Sequence, residues 1–128
     1  MEICIIDDDE IHHFIMKKLL SEVLENQNYP VIFLYNGEEG FKYLKNEDIS
    51  QKKYLIFLDI DMPIMDGWDF LDAYIEYFKE SPDTIHIYIF SSSRDPHDLK
   101  KVEEYPFVID YILKPIDVNT LKEIVFKY

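Results

Sequence analysis

The chain has little of several residue types that mark particular classes of protein. It contains one cysteine among 128 residues, so no intrachain disulfide can form. That residue, Cys4, lies in the apolar run Ile3–Ile6, which favours a buried structural thiol over a reactive or metal-binding one. Only three glycines and six prolines are present, and no glycine-rich nucleotide loop occurs. These shortages exclude a fold stapled by intrachain disulfides and argue against long flexible linkers.

Basic residues and long apolar runs are also scarce. The 13 lysines and arginines stand against 26 aspartates and glutamates, which gives a formal net charge of −13 at pH 7. A phosphate backbone would repel such a chain, and no basic run offers a local exception, so we expect no binding to nucleic acid. No apolar run approaches the length that spans a membrane, and the N-terminus lacks the features of a signal peptide. We therefore expect a cytoplasmic protein that makes no membrane contact.

Hydrophobic residues make up 48% of the chain, which is enough for a packed core. Five short apolar runs are rich in β-branched and aromatic residues, and segments with helical spacing separate them. The runs are mostly continuous rather than alternating, which is typical of parallel strands buried on both faces. They are Ile3–Ile6, Val31–Tyr35, Tyr54–Leu58, Ile85–Phe90 and Val108–Leu113. The order βαβαβαβαβα predicts one α/β domain over residues 1–128, a doubly wound parallel sheet with helices on both faces.

The first helical segment carries an apolar stripe and two adjacent histidines. We expect the stripe to face the core; its residues are Ile11, Phe14, Ile15 and Leu19. His12 and His13 follow one another, so on a helix they point about 100° apart and do not form a natural pair of metal ligands. We expect both histidines to be solvated on the helix surface.

Polar residues follow four of the five predicted strands. They are Asp7, Asp8 and Asp9 after the first, Asp59 and Asp61 after the third, Ser91 to Ser93 after the fourth, and Lys114 after the fifth. Each alone has an ordinary explanation as a helix cap, a turn residue or a solvated strand end, and for Asp9 capping is preferred. In parallel sheets, however, the carboxyl ends of the strands meet at the ligand-binding edge. Carboxylates that converge repel one another unless a cation compensates, and oxygen ligands of high negative charge suit Mg²⁺.

Four motifs around these residues resemble the landmarks of the receiver domain of bacterial two-component response regulators. They are Ile-Ile-Asp7-Asp8-Asp9, then Leu58-Asp59 with Met62-Pro63-Ile64-Met65-Asp66-Gly67, then Phe90-Ser91-Ser92, and finally Tyr111-Ile112-Leu113-Lys114-Pro115. All four occur in order, each after the appropriate strand, and the resemblance covers essentially the whole chain. It implies a flavodoxin-like (βα)5 fold with strand order 2-1-3-4-5. It also implies a stand-alone, chemotaxis-regulator-like receiver with no output domain.

The resemblance implies a chemistry as well. Asp59 is then the phosphoacceptor, which takes a phosphoryl group from a sensor histidine kinase or a phosphotransfer protein. Mg²⁺ would be bound by Asp8 and Asp59 directly, by the backbone carbonyl of Asp61, and by Asp7 mainly through water. Ser91 and Lys114 would contact the phosphoryl oxygens.

Three further features follow from the resemblance. Ser91 and Tyr111 form the switch pair, which alters a protein-binding face for a downstream target that the sequence does not identify. Asp61 and Ser93 occupy variable positions that tune autodephosphorylation in the family, so the phosphoryl lifetime is open. The Lys114–Pro115 bond is usually cis in the family.

Two other interpretations stay open at this point. Asp59-Ile60-Asp61 also fits the Asp-x-Asp motif of haloacid-dehalogenase-type phosphatases, in which the first aspartate is the nucleophile and the second a general acid/base. That motif normally follows the first strand of a larger domain, and Met62 stands where those enzymes commonly carry threonine or valine. The second alternative is a phosphorylation-independent binding module of the same fold, against which the intact set of acidic, hydroxyl and lysine residues argues.

Overall fold

The computed structural model describes residues 1–128 and consists of five parallel strands that alternate with five helices. The strands are β1 (Glu2–Ile6), β2 (Val31–Leu34), β3 (Tyr54–Leu58), β4 (Ile85–Ser91) and β5 (Val108–Leu113). The helices are α1 (Glu10–Val23), α2 (Gly37–Lys45), α3 (Gly67–Phe78), α4 (Pro96–Lys101) and α5 (Val118–Val125), and a 3₁₀ turn (Val102–Glu104) extends α4. The strands pair in the order β2-β1-β3-β4-β5. The predicted flavodoxin-like α/β fold and its strand order are therefore confirmed.

The core consists of two apolar layers, one on each face of the sheet. Successive strand residues enter different layers because strand side chains alternate in direction. Ile3 and Ile5 of β1 join the layer that α1 and α5 cover, whereas Cys4 and Ile6 join the layer that α2 and α3 cover. Both faces of the central strands are buried, which explains why their sequences are continuously apolar.

Each helix begins with a polar cap whose side chain accepts a hydrogen bond from a backbone N–H of the first turn. The caps are Asp9, Asn36, Asp66, Asp95 and Asp117. Capping satisfies amide groups that the helix itself leaves without partners. The capping role expected for Asp9 is confirmed, since its carboxylate accepts from the Ile11 N–H at 2.8 Å.

Gly67 lets α3 approach the end of β3 closely. A Cβ atom at this position would lie 2.5 Å from the carbonyl oxygen of Asp59 and 2.7 Å from the Cα of Ile60. Both neighbours are backbone atoms, so neither can move aside without displacing the strand. Glycine is thus needed here to keep α3 against the strand end that carries Asp59.

The predicted inward face of α1 is wrong. Ile11 is 67% exposed, Phe14 61% and Ile15 46%, and Leu19 is only half-buried. The side that packs on the sheet consists instead of His13, Met16, Leu20 and Val23. The helix has apolar residues on two sides, so periodicity alone does not choose between them, and tertiary contacts decide.

His13 supplies one of those contacts, which contradicts the expectation that it is solvated. It is only 5% exposed, and its Nε2 donates to the carbonyl oxygen of Asp7 at 2.6 Å. Its ring packs against those of Phe33 and Tyr35, with centroids 5.1 and 4.6 Å away. This bond ties α1 to the end of β1 and helps to fix the rotation of the helix. None of the five helices is both long and apolar enough to cross a membrane.

Candidate functional site

Three carboxylates meet at the carboxyl edge of the sheet. Asp7 and Asp8 follow β1, and Asp59 follows β3, which pairs directly with β1. One ligand oxygen from each of the three lies within 4.8 Å of the others. Asp7 and Asp59 are buried, at 2% and 6% exposure, whereas Asp8 is exposed. The cluster opens into an acidic cleft that Asp61 also lines.

The environment of Asp59 disfavours its ionised form. Burial, the largest cause, raises the pKa of this carboxyl to about 6; the nearby Lys114 lowers it, and the charge of Asp7 raises it further. The Ile60 N–H donates to Asp59 Oδ1 at 2.9 Å, which fixes the direction of the carboxylate. A set of oxygen ligands with excess negative charge is the type of site that Mg²⁺ occupies in proteins. The carboxylates therefore fit the expected cation.

Lys114 brings a positive charge to the same place from the end of β5. Its Nζ lies 2.6 Å from Asp7 Oδ2 and 3.9 Å from Asp59 Oδ1, and its side chain is only 10% exposed. The ammonium group also lies 5.4 Å from the centre of the Phe90 ring. The Lys114–Pro115 bond is cis, the isomer that is usual in the family that the sequence resembles. Lys114 is thus held beside both buried aspartates.

Ser91 is the last residue of β4, the strand next to β3, and brings a hydroxyl group to the same edge of the sheet. Ser91 is fully buried, and its Oγ accepts from the Ser93 N–H at 3.1 Å. The hydroxyl hydrogen is not used in that bond. Ser92, the next residue, lines the acidic cleft.

Tyr111 contacts the segment that follows Ser91. The ring is half-buried on β5, and its hydroxyl donates to the carbonyl oxygen of Ser93 at 2.9 Å. The side chain therefore links β5 to the connection between β4 and α4. Ser91 is connected to this link through Ser93, whose N–H donates to the Ser91 hydroxyl.

His12 is a site residue that the sequence interpretation missed. Its Nδ1 lies 3.0 Å from Asp7 Oδ2 and 2.8 Å from Lys114 Nζ. The residue is in the first turn of α1, immediately beyond the acids that end β1. Its place directly after the acidic residues is the sequence signal that could have assigned His12 to the site. Its pairing with the adjacent His13 is not.

Comparison with known proteins identifies the family of the chain. The model of the response regulator receiver domain matches residues 3–126. The chain belongs to this family. An uncharacterized response regulatory protein of Shewanella oneidensis is 30% identical over 121 residues, which cover 94% of this chain and 45% of that protein. The chain spans less than half the length of the curated relatives that it matches.

Solved receiver structures are similar over nearly the full chain. The CheY-like receiver domain protein from Methanospirillum hungatei is 30% identical, with a TM-score of 0.72, and the alignment covers 95% of this chain and 88% of that one. A two-component response regulator from Cytophaga hutchinsonii is 25% identical, with a TM-score of 0.84, and the alignment covers 98% and 94% of the two chains.

Membership of the family settles the class of protein. Receiver domains act in two-component signalling, interact with histidine kinases or phosphotransfer partners, and bind Mg²⁺ at an acidic pocket. Asp59 follows the third strand of the receiver fold, not the first strand of a larger domain. The haloacid-dehalogenase interpretation of Asp59 and Asp61 is left without support.

Proposed function

We propose that this receiver domain is a phosphoacceptor switch in which Asp59 takes a phosphoryl group from a sensor histidine kinase or a phosphotransfer protein. One observation carries the proposal: the ligand oxygens of Asp7, Asp8 and Asp59 lie within 4.8 Å of one another. The largely buried ammonium group of Lys114 lies 3.9 Å from Asp59, where it would face a phosphoryl group bound there.

The reaction needs Asp59 as a carboxylate. One of its oxygens attacks the phosphorus of a phosphohistidine, the P–N bond breaks, and the imidazole leaves, which yields an acyl phosphate. Lys114 then binds a phosphoryl oxygen as a point charge, and Ser91 donates its hydroxyl hydrogen to another. Phosphoryl transfer depends mainly on such positioning and charge neutralisation, so these few side chains suffice.

The acidic cluster would hold Mg²⁺ through Asp8 and Asp59, through the backbone carbonyl of Asp61, and through Asp7 mainly by way of water. When bound, Mg²⁺ supplies positive charge that offsets the carboxylates and the phosphoryl oxygens. The mixture of buried and exposed carboxylates suits this cation, which usually keeps several of its waters.

The exposed apolar side of α1 suits the docking of the protein that donates the phosphoryl group. Ile11 lines the acidic cleft, and Phe14 and Ile15 continue the apolar surface along the helix. Beside it, a cavity of about 230 Å³ opens between α1 and the segment from Lys114 to Ile116. A protein that delivers a phosphoryl group to Asp59 must contact the rim of this cleft, and exposed apolar patches mark protein contacts.

Phe14→Ser should slow phosphoryl transfer from the cognate phosphodonor by about tenfold or more, because an exposed aromatic anchor contributes strongly to docking. The donor can be found by phosphotransfer profiling against the sensor kinases of the source organism. Uptake from acetyl phosphate should change little, since that donor is too small to use the helix surface. Tyr77→Ser, at an aromatic residue of α3 that is 49% exposed, is the matched control. Equal rates for Phe14→Ser and the control would contradict docking on α1.

Ser91 and Tyr111 would transmit the effect of phosphorylation to the protein surface. The phosphoryl group draws the Ser91 hydroxyl inward, and the segment that Tyr111 contacts through Ser93 moves with it. The phosphoryl group shifts the equilibrium between two states because it interacts differently with each. The affected surface is the face formed by α4, β5 and α5, which would then bind a protein target.

Beryllofluoride, a mimic of the phosphoryl group, should change amide NMR shifts along this route. With Mg²⁺ present, we expect changes from Asp59 through Ser91 to Tyr111 and over residues 99–105. Asp59→Asn should show none of these changes, because the mimic binds to that carboxylate. Changes confined to the acidic cleft would rule out the switch while leaving phosphorylation of Asp59 untouched.

A further inference from the structure

His12, Lys114 and Asp7 form a triangle of polar atoms at the inner end of the cleft. Lys114 Nζ lies 2.6 Å from Asp7 Oδ2 and 2.8 Å from His12 Nδ1, and Nδ1 lies 3.0 Å from the same carboxylate oxygen. All three distances fall within hydrogen-bond range. The three heavy atoms cannot all donate, so the positions of the hydrogens follow from their chemistry.

An ammonium group has three donors and no acceptor, so Lys114 donates to both neighbours. The lone pair of His12 Nδ1 then faces Lys114, the nearer of its two neighbours at 2.8 Å. The contact of Nδ1 with Asp7 Oδ2 at 3.0 Å carries no hydrogen in this arrangement, and the ammonium group that donates to both atoms offsets their repulsion. The ring hydrogen consequently resides on Nε2. On that side of the ring, Asp9 Oδ2 lies 3.6 Å from Nε2, and the other oxygen of Asp9 is fixed by the helix cap. A carboxylate on the Nε2 side favours this tautomer.

We propose that His12 is a positioning residue for Lys114, an inference that rests on the proposed phosphoacceptor function. His12 and Asp7 each take one N–H of the ammonium group. The third N–H is left to face Asp59 Oδ1, 3.9 Å away, where a phosphoryl oxygen would accept it. His12 thus orients the charge that stabilises the incoming phosphoryl group.

The residue type suits this place. Asp7, Asp8, Asp59 and Asp61 already bring negative charge to the cleft, and another carboxylate beside Lys114 would add to their repulsion. An imidazole lone pair accepts the hydrogen bond without adding a negative charge. The His12 side chain is 32% exposed, so it can be exchanged without opening the core.

Two substitutions separate positioning from packing. His12→Phe keeps a ring of similar size but removes the acceptor, and we expect it to slow uptake of a phosphoryl group from acetyl phosphate by about tenfold. His12→Asn places an amide oxygen near the position of Nδ1 and should keep the rate within about threefold of wild type, as expected for one retained hydrogen bond. His97→Phe makes the same exchange at an exposed histidine of α4 and serves as the control. Equal rates for His12→Phe and His12→Asn would overturn the proposal.

A second measurement does not depend on phosphorylation. Nitrogen-15 NMR of the histidine rings should show His12 with a bare Nδ1 and a protonated Nε2, and Lys114→Met should change the Nδ1 signal. A protonated Nδ1 in the wild-type protein would overturn the positioning role. If wild type takes up no phosphoryl group, the proposed function fails instead, and the ring signals still decide how His12 contacts Lys114.

Discussion

Incubation with acetyl phosphate and Mg²⁺ should add one phosphoryl group to the wild-type protein, and Asp59→Asn should abolish the addition. Two buried carboxylates, Asp7 and Asp59, lie in the acidic cluster. Asp7 is paired with Lys114 at 2.6 Å, whereas Asp59 lies 3.9 Å from that ammonium group and lines the open cleft. An asparagine amide has nearly the same shape but no nucleophilic oxygen that can form an acyl phosphate. Intact-protein mass spectrometry measures the product directly, because the phosphoryl group stays covalently attached.

The control is Asp83→Asn, which replaces an exposed aspartate before β4 and should be labelled as wild type is. Labelling of Asp59→Asn to the wild-type level would place the phosphoacceptor elsewhere. Repeated turnover of a generic phosphomonoester would instead revive the phosphatase interpretation of Asp59 and Asp61. A wild-type protein that is never labelled would favour a binding module that has lost phosphorylation.

The sheet could be predicted from sequence because its strands are buried on both faces. Such strands have continuous apolar runs, and the observed strands Tyr54–Leu58 and Val108–Leu113 coincide with the predicted ones. The alternation of strands and helices then leaves few topologies. It does not by itself fix the order of strands in the sheet, which came from the resemblance to receiver domains. The order depends on long-range packing that no local pattern contains.

The acidic cluster was predictable for a related reason, since a parallel sheet brings its strand ends to one edge. That rule placed Asp7, Asp59 and Lys114 together, and the structure does so. It says nothing of residues within the following helix, so His12 was missed. The predicted inward face of α1 is also wrong. The helix is apolar on two sides, and a hydrogen bond from His13 helps to select the side that packs on the sheet. Local periodicity does not contain that bond.

Asp59→Asn should stabilise the protein at pH 8 in the absence of divalent cations. The pKa of Asp59 is about 6 in the folded protein, against about 3.9 for an unperturbed aspartate. Between these values the folded state holds more protons than the unfolded state, so stability falls as pH rises from about 4 to about 6. Above that range the ionised carboxylate lowers the free energy of unfolding by about 2–3 kcal/mol, because each pKa unit corresponds to about 1.4 kcal/mol. Asparagine carries no charge and avoids this cost, so the advantage of the variant should vanish near pH 4.

With Mg²⁺ present at pH 8, wild type should instead be more stable than Asp59→Asn. A cation that binds only the folded state adds stability, and it relieves the repulsion between Asp59 and Asp7 at the same time. Wild type should therefore gain more from Mg²⁺ than Asp59→Asn, which has lost a ligand. Asp8→Asn should lose most of the Mg²⁺ effect and still become less stable between pH 4 and 6, because it retains Asp59.

Urea unfolding of the three proteins at pH 4, 6 and 8, with and without Mg²⁺, measures both effects. Equal Mg²⁺-induced stabilisation of wild type and Asp8→Asn would refute the ligand assignment, and parallel pH profiles for wild type and Asp59→Asn would refute the raised pKa of Asp59.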